Sequence, residues 1–155
     1  AQFEIVARLQ SRVAATHLHL GEAYRSTKNW EKARASFDRV LELDSNNAEV
    51  HFDLGLLYMA RAAEAEVAEN RSGALDFLQQ AQAEFVNYRN LMGSRLSRDD
   101  PSTAYGEEIQ RGIDRTKRAI DRDAARAARD AERAAREAEE AAGGGGDAPA
   151  EGDGG

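Results

Sequence analysis

Residues 14–47 carry the pattern that decides the fold. They read A-A-T-H-L-H-L-G-E-A-Y over 14–24, K-N-W-E-K-A over 28–33 and F-D-R-V-L-E-L over 37–43. Small and large apolar residues recur every three or four positions in both halves, as they do on the buried face of a helix. Asn29 stands between the halves, where it suits the N-cap of the second helix. The stretch therefore predicts two amphipathic helices joined by a short turn.

The same pattern returns 34 residues further along the chain. Four residues recur at that offset: His17, Leu20, Gly21 and Tyr24 return as His51, Leu54, Gly55 and Tyr58. A fixed period of about 34 residues, with one helical hairpin in each period, is typical of a stacking helical repeat. We therefore predict an all-α solenoid of stacked helical hairpins. The residues expected to define the repeat and form its core are Leu20, Gly21, Tyr24, Ala33, Phe37, Val40, Leu54, Gly55, Tyr58, Ala74 and Leu78.

At these positions the chain resembles the tetratricopeptide repeat (TPR) family. The resemblance implies one complete repeat over residues 14–47 and a second over residues 48–92. The second hairpin is expected to be longer than the first, because Tyr24 and Ala33 lie 9 residues apart whereas Tyr58 and Ala74 lie 16 apart. Seven added residues are about two helical turns, or one turn on each arm of the hairpin.

Residues 1–13 resemble the second half of the repeat. Four residues match at the same offset of 34: Phe3, Val6, Leu9 and Ser11 correspond to Phe37, Val40, Leu43 and Ser45. We interpret residues 1–13 as the second helix of a preceding, truncated repeat, and a plain N-terminal cap helix is the alternative.

The C-terminal third of the chain predicts a cap for the solenoid. Residues 93–101 form a polar connector, and residues 102–142 form a capping helix that runs into a charged segment rich in Ala, Arg and Glu. Its apolar stripe consists of Tyr105, Ile109, Ile113, Thr116 and Ile120. Residues 143–155 are rich in Gly and acidic residues and are expected to be disordered.

Composition narrows the possible partners. The chain of 155 residues has 28 acidic and 21 basic residues and a formal net charge of −7, which argues against nucleic acid as the main partner. It contains no cysteine, so neither disulfides nor thiolate chemistry are available. No run approaches the roughly 20 apolar residues that a membrane span needs. The sequence does not determine the oligomeric state.

No arrangement of residues predicts catalysis. The sequence lacks a Ser/His/acid order, a phosphate-binding glycine loop and a calcium loop, so we expect a non-enzymatic protein without cofactor or metal. His17, His19 and His51 are expected to be partly buried against neighbouring helices, because no carboxylates can be placed beside them to complete a metal site.

The resemblance to the TPR family also implies a partner-binding groove along the first helices of the repeats. Its residues are Leu18, Glu22, Arg25, Glu49, Phe52, Asp53, Leu56 and Met59. Family members that bind acidic C-terminal peptides use a Lys/Asn clamp there, which this chain replaces with Leu18, Glu22 and Asp53. We expect an apolar groove with an acidic border that receives an apolar helix or strand bearing Lys or Arg. The alternative is that an upstream repeat or the chain's own C-terminal helix covers these residues.

Within the TPR proteins, the chain is similar to the TPR lipoproteins of the bacterial gliding-motility machinery. The similar stretches, in order, are residues 52–58 (F-D-L-G-L-L-Y), residues 85–89 (F-V-N-Y-R), Asp99-Asp100-Pro101 and Tyr105. This resemblance implies a scaffold in the cell envelope, in the periplasm or at the outer membrane, with a lipid anchor upstream. The alternative is a cytoplasmic TPR adaptor or chaperone for a secretion or pilus system.

Overall fold

A computed structural model shows the chain as a succession of helices. It describes the backbone of residues 2–143 and the side chains of residue 9 and of residues 12–143. The helices are α1 (Gln2–Ser26), α2 (Trp30–Leu43), α3 (Ala48–Val67), α4 (Arg71–Met92) and α5 (Pro101–Gly143), with a short 3-10 turn at Gly93–Arg95. The acidic tail predicted for residues 143–155 lies outside the described residues except for Gly143.

Helices α2, α3 and α4 each have an asparagine as N-cap. The side chains of Asn29, Asn47 and Asn70 accept hydrogen bonds from the backbone N–H groups of Lys32, Val50 and Gly73, at 3.4, 3.1 and 3.0 Å. These bonds satisfy backbone donors that the first helical turn leaves without a partner. A capping box beginning at Asn46 is also a natural expectation from the sequence, and it is wrong. The N–H of Asn46 donates to Asp44 Oδ1 at 3.2 Å, so Asn46 belongs to the turn and Asn47 is the cap.

Both hairpins turn with the same backbone chemistry. Lys28 ends the turn after α1 at φ 58°, and Glu69 does so after α3 at φ 56°. The following N–H group reaches back five residues in each case, from Asn29 to Tyr24 and from Asn70 to Ala65, both at 2.9 Å. This is the left-handed C-terminal motif that usually carries glycine, so a non-glycine residue there is strained.

Close helix contact within each hairpin depends on a glycine facing a phenylalanine. A Cβ atom added at Gly21 would lie 2.6 Å from Phe37 Cδ1, and one added at Gly55 would lie 2.7 Å from Phe85 Cε2. Phe85 therefore holds the place that the sequence comparison assigned to Leu78. Gly21 and Phe37 lie 16 residues apart, whereas Gly55 and Phe85 lie 30 apart, so the second hairpin is longer by seven residues on each arm. The expectation of seven added residues in all is therefore wrong. Leu78 is still buried, and its Cδ1 lies 3.2 Å from the position of a Cβ at Gly112 of α5.

Most residues expected to define the repeat are buried. Ala33, Phe37, Val40, Leu54, Tyr58, Ala74 and Leu78 all lie in the core with the two glycines, and Tyr24 is half-buried. Leu20 is the exception, because it is 41% exposed whereas its equivalent Leu54 is 1% exposed. The expectation of a buried Leu20 is wrong for this chain. Leu54, by contrast, lies on α3, against which α2 packs through contacts such as Trp30 Nε1 to Glu64 Oε2 at 2.7 Å.

The helix boundary expected between residues 13 and 14 does not occur. α1 is continuous from Gln2 to Ser26, so residues 2–13 extend the first helix of the repeat and do not form a separate helix folded against it. The local reason is that this stretch contains neither Gly nor Pro and no capping residue to end the helix. Whether these residues derive from a truncated repeat stays a prediction.

The chain divides into two compact units, Ala1–Lys117 and Arg118–Gly155. In the first, the N-terminal part of α5 contributes Ile109 and Ile113 to the core shared with the hairpins. Asp100 begins this helix by accepting a hydrogen bond from the N–H of Ser102 at 2.9 Å. In the second unit, residues 121–143 are exposed throughout, with ion pairs along the helix such as Arg133–Glu137 at 2.7 Å.

Candidate functional site

The groove residues predicted from the sequence lie on α1 and α3 with very different exposure. Asp53 is buried at 5% exposure, and Leu18 is buried at 4%. Glu49 is exposed. The remaining groove residues are half-buried: Glu22, Arg25, Phe52, Leu56 and Met59. The structure therefore brings a buried acid, and not only apolar side chains, to the centre of this face.

A cluster of charges surrounds Asp53. Arg25 Nη2 donates to Asp53 Oδ1 at 3.4 Å, across from α1 to α3. Glu22 and Glu49 lie close enough to Asp53 to repel its charge. Asp53 thus pairs with Arg25, while the charges of Glu22 and Glu49 act against its ionised form and the charge of His19 acts weakly in its favour.

Burial raises the pKa of Asp53 to about 6 from an ordinary value of 3.8. Arg25 opposes this rise, and Glu22 and Glu49 add to it. The ionised carboxylate is therefore held at a cost in free energy, since desolvation outweighs its single ion pair. Arg25 is also incompletely satisfied, because its buried Nε atom has no hydrogen-bond partner.

The histidines behave differently from one another. His51 is half-buried against a neighbouring helix, as the sequence predicted. Its Nδ1 lies 2.7 Å from Glu84 Oε2 on α4, a carboxylate partner that the sequence did not predict. His19 is exposed, so the expectation of partial burial is wrong there. Its Nδ1 lies 3.0 Å from Glu22 Oε2, and this hydrogen bond, with the charge of Glu22, raises the pKa of His19. Nothing among the described side chains forms a group of three or more His, Asp or Glu residues that could hold a metal ion.

The chain's own C-terminal helix occupies the apolar end of the predicted groove. The Phe52 ring lies 5.4 Å from Phe85, 5.1 Å from Tyr88 and 6.1 Å from Tyr105 of α5, measured between ring centroids. Met59 lines a cavity of about 210 Å³ with Ile109 and other residues of α5. At Phe52 and Met59, α5 packs against the predicted groove, as the alternative in the sequence analysis had it, and partner binding by the groove stays a prediction.

Tyr88 and Tyr105 are the residues of this face that the sequence reasoning left out of the groove. Tyr88 donates its hydroxyl to Asp100 Oδ2 at 2.8 Å, and Tyr105 stacks on Phe85 with centroids 5.4 Å apart. The sequence analysis places Tyr105 in the apolar stripe of the capping helix and Tyr88 only in the stretch F-V-N-Y-R over residues 85–89. The ring contacts of both tyrosines with Phe52 depend on where α5 packs. The hydrophobic periodicity of a single helix does not predict that position.

The family comparison matches this part of the chain. The family model described as TPR repeat matches residues 16–60, which span the second half of α1, all of α2 and most of α3. These residues are therefore similar to a TPR repeat. No curated protein and no solved structure matches the chain significantly.

With the helices described above, the match makes the chain an all-α, TPR-type solenoid. TPR repeats are typically non-enzymatic scaffolds that bind protein partners. None of the helices in residues 2–143 combines the length and the hydropathy that a membrane-spanning helix needs.

Proposed function

We propose that this TPR scaffold binds a partner segment that carries Lys or Arg beside apolar side chains, at the face around Asp53. The observation that carries the proposal is the buried Asp53, which pairs with Arg25 and is held ionised at a cost beside Glu22 and Glu49. A cation brought by a partner would add the attraction that Asp53 lacks within the chain. Costly buried charges of this kind concentrate at functional sites.

The proposed site is smaller than the groove expected from the sequence. Because α5 covers Phe52 and Met59, the free part consists of Glu22, Glu49 and Asp53 with the half-buried Leu56 as its apolar neighbour. An apolar segment of one or two helical turns that ends in a cationic side chain fits this combination better than a long apolar helix.

The two more exposed carboxylates offer a test that leaves the core intact. A peptide of Leu, Ala and Lys should bind the wild-type protein and should bind the Glu22→Gln/Glu49→Gln variant at least ~10-fold more weakly, because two attractive charges are lost. Its affinity should also fall as salt is added. Isothermal titration calorimetry measures both effects.

A matched control removes the same charge elsewhere. Glu139→Gln/Glu140→Gln changes two exposed residues of α5 and should leave the affinity unchanged. The same peptide with Glu in place of Lys should not bind. Equal affinities of both charge variants, or equal binding of both peptides, would contradict the proposed site.

A substitution at Leu56 distinguishes a role in partner binding from a role in folding. Leu56→Glu places a like charge and a polar group in the free part of the site, so the peptide should no longer bind. An unchanged melting temperature together with lost binding supports a docking role. A large fall in melting temperature instead indicates that Leu56 is a structural residue.

We further propose that the scaffold works in a bacterial cell-envelope machine such as the gliding-motility apparatus. This placement is supported only by the order of similar residues described in the sequence analysis, ending at Asp99-Asp100-Pro101 and Tyr105. Cell fractionation tests it: the native protein should be found with the envelope. Recovery from the cytoplasm would favour an adaptor or chaperone of a secretion or pilus system.

A further inference from the structure

Two groups that can change their charge lie among the acids around Asp53. On α1, His19, Glu22 and Arg25 are spaced three residues apart and therefore lie in one row along the helix. On α3, Glu49 and Asp53 are four residues apart and also share one side. The two rows meet where Arg25 Nη2 lies 3.4 Å from Asp53 Oδ1. The docking site proposed above is thus built from two facing rows, with a histidine at one end of the first.

His19 holds an acid that the partner's cation would need. Its Nδ1 lies 3.0 Å from Glu22 Oε2, and its side chain is 74% exposed. The hydrogen bond with Glu22 and the charge of that acid raise the pKa of His19, and the charges of Glu49 and Asp53 act in the same direction. A protonated His19 is therefore attracted by all three acids of the site, as the partner's Lys or Arg would be. Because it belongs to the chain, this cation binds them without the loss of translational freedom that a partner pays.

Asp53 loses its charge over a neighbouring range of pH. It is buried, its ion pair with Arg25 is long, and the pKa of its carboxyl is raised to about 6, mainly by burial. Acidification from about pH 8 to about pH 5.5 therefore protonates most of Asp53 and also charges His19. At the higher pH the two rows carry three negative charges and one positive charge, and at the lower pH they carry two of each.

The other helices packed against α3 hold their charged groups in separate contacts. On α4, Glu84 Oε2 lies 2.7 Å from Nδ1 of His51. The further contacts are Tyr88 with Asp100 at 2.8 Å, Lys28 with Glu64 at 3.1 Å, and Arg115 of α5 with Glu66 at 3.1 Å. The groups that act on the charges of Asp53 and His19 at the docking site are therefore the members of the two rows.

We propose that acidification switches the docking site off, because His19 becomes a cation that takes the place of the partner's Lys or Arg beside Glu22, while Asp53 becomes neutral. This inference rests on the proposed function, since it describes how that same site is regulated. In mildly alkaline solution the two rows keep a net negative charge that attracts a cationic segment. In mildly acidic solution the charges of the site balance one another, and that attraction is lost.

The affinity for a peptide at two pH values measures the switch. The probe is the peptide of Leu, Ala and Lys described above, with acetylated and amidated ends so that Lys, with a pKa of about 10.4, is its only titrating group. In isothermal titration calorimetry at constant ionic strength, the dissociation constant of the wild type should be at least ~10-fold larger at about pH 5.5 than at about pH 8. Circular dichroism checks that the fold is retained at both pH values.

Two variants each remove one of the charge changes. Asp53→Asn keeps the shape of the protonated acid, and His19→Gln cannot form an imidazolium. Each should reduce the ratio of the two dissociation constants to ~3-fold, and the double variant should reduce it to ~1. His17→Gln is the matched control, because His17 is two residues from His19 and so lies on a different side of α1. This control should keep the ratio of the wild type.

Proton release gives a second readout, which a purely structural role of these residues would not change. A bound cation favours ionised Asp53 and neutral His19, so binding at about pH 6 should release protons. Calorimetry in two buffers of different ionisation enthalpy measures the number released. The wild type should release protons, and the double variant should release none.

The switch and the docking site can fail separately. Binding that is equally tight at about pH 8 and about pH 5.5 would refute the switch and leave the docking site standing. The switch is also refuted by a double variant that keeps the ratio of the wild type, or by a wild type that releases no protons. A wild type that binds the peptide at neither pH would contradict the docking site itself, and the switch would fall with it. If Asp53→Asn does not fold, His19→Gln decides alone, because it changes an exposed residue.

Discussion

Asp53→Asn should stabilise the protein at neutral pH, although it removes one partner of a cross-helix ion pair. The wild-type carboxyl has its pKa raised from 3.8 to about 6, mainly by burial. At 1.36 kcal/mol for each pKa unit, keeping it ionised above pH 6 costs the folded state up to about 3 kcal/mol. Asparagine has nearly the shape of the protonated acid and carries no charge to desolvate.

The sign of the pH dependence follows from the direction of the shift. Because the folded-state pKa is above the unfolded one, the favourable contribution of protonated Asp53 is complete below about pH 4 and is lost as the pH rises through about 6. The variant lacks this titration. The difference in free energy of unfolding between variant and wild type should therefore be near zero at about pH 4 and reach up to about 3 kcal/mol at about pH 8.

Urea unfolding followed by circular dichroism at intervals across that pH range measures the difference. Asp38→Asn is the matched control, since Asp38 is 46% exposed and pairs with Arg34 at 2.7 Å within one helix. Its effect should stay below about 1 kcal/mol and vary little with pH. A variant of Asp53 that is less stable than the wild type at every pH would show that the pair with Arg25 is net stabilising. Asp53 would then need no cation from a partner to balance its charge, and the proposed docking site would be contradicted.

Two further predictions concern the backbone, and thermal or urea unfolding checks both. Gly21→Ala should lower the free energy of unfolding by about 1–3 kcal/mol, because the new methyl group clashes with the Phe37 ring. Gly106→Ala in α5 should raise it by up to about 1 kcal/mol, because the new methyl group contacts only a flexible arginine side chain. Equal effects of the two changes would contradict the close approach of α1 and α2. Glu69→Gly should stabilise by about 1 kcal/mol, since Glu69 has φ 56°, while Ala68→Gly, at φ −79°, should destabilise by about 0.5–1 kcal/mol. A loss of stability in both would refute strain at the turn.

The hairpins themselves could be predicted from the sequence, because their causes lie within a few residues of one another. The stripe of Ala33, Phe37 and Val40 has the period of one helix, and Asn29 caps that helix through its own side chain. Such features depend on the spacing of neighbouring residues and on hydrogen bonds between residues a few positions apart. Both can therefore be predicted from a short stretch of sequence.

The candidate site could be predicted only in part. The resemblance to the TPR family placed Arg25, Glu22 and Asp53 on one predicted groove face. It did not predict that Asp53 is buried, nor that Tyr105 covers Phe52. The burial of a residue depends on which distant segment of the chain packs over it. An acidic residue such as Asp53 gives the same sequence signal on an exposed helix face as on a buried one.

By itself, the sequence determined the repeating helical hairpin and the asparagine cap of α2. Only the tertiary structure decided that Phe85 and not Leu78 faces Gly55, that Leu20 stays exposed and that α1 continues through residue 13. The physical reason is that periodicity fixes which side of a helix is apolar. What that side meets is settled by the packing free energy of segments far apart in the chain, and no local pattern records it.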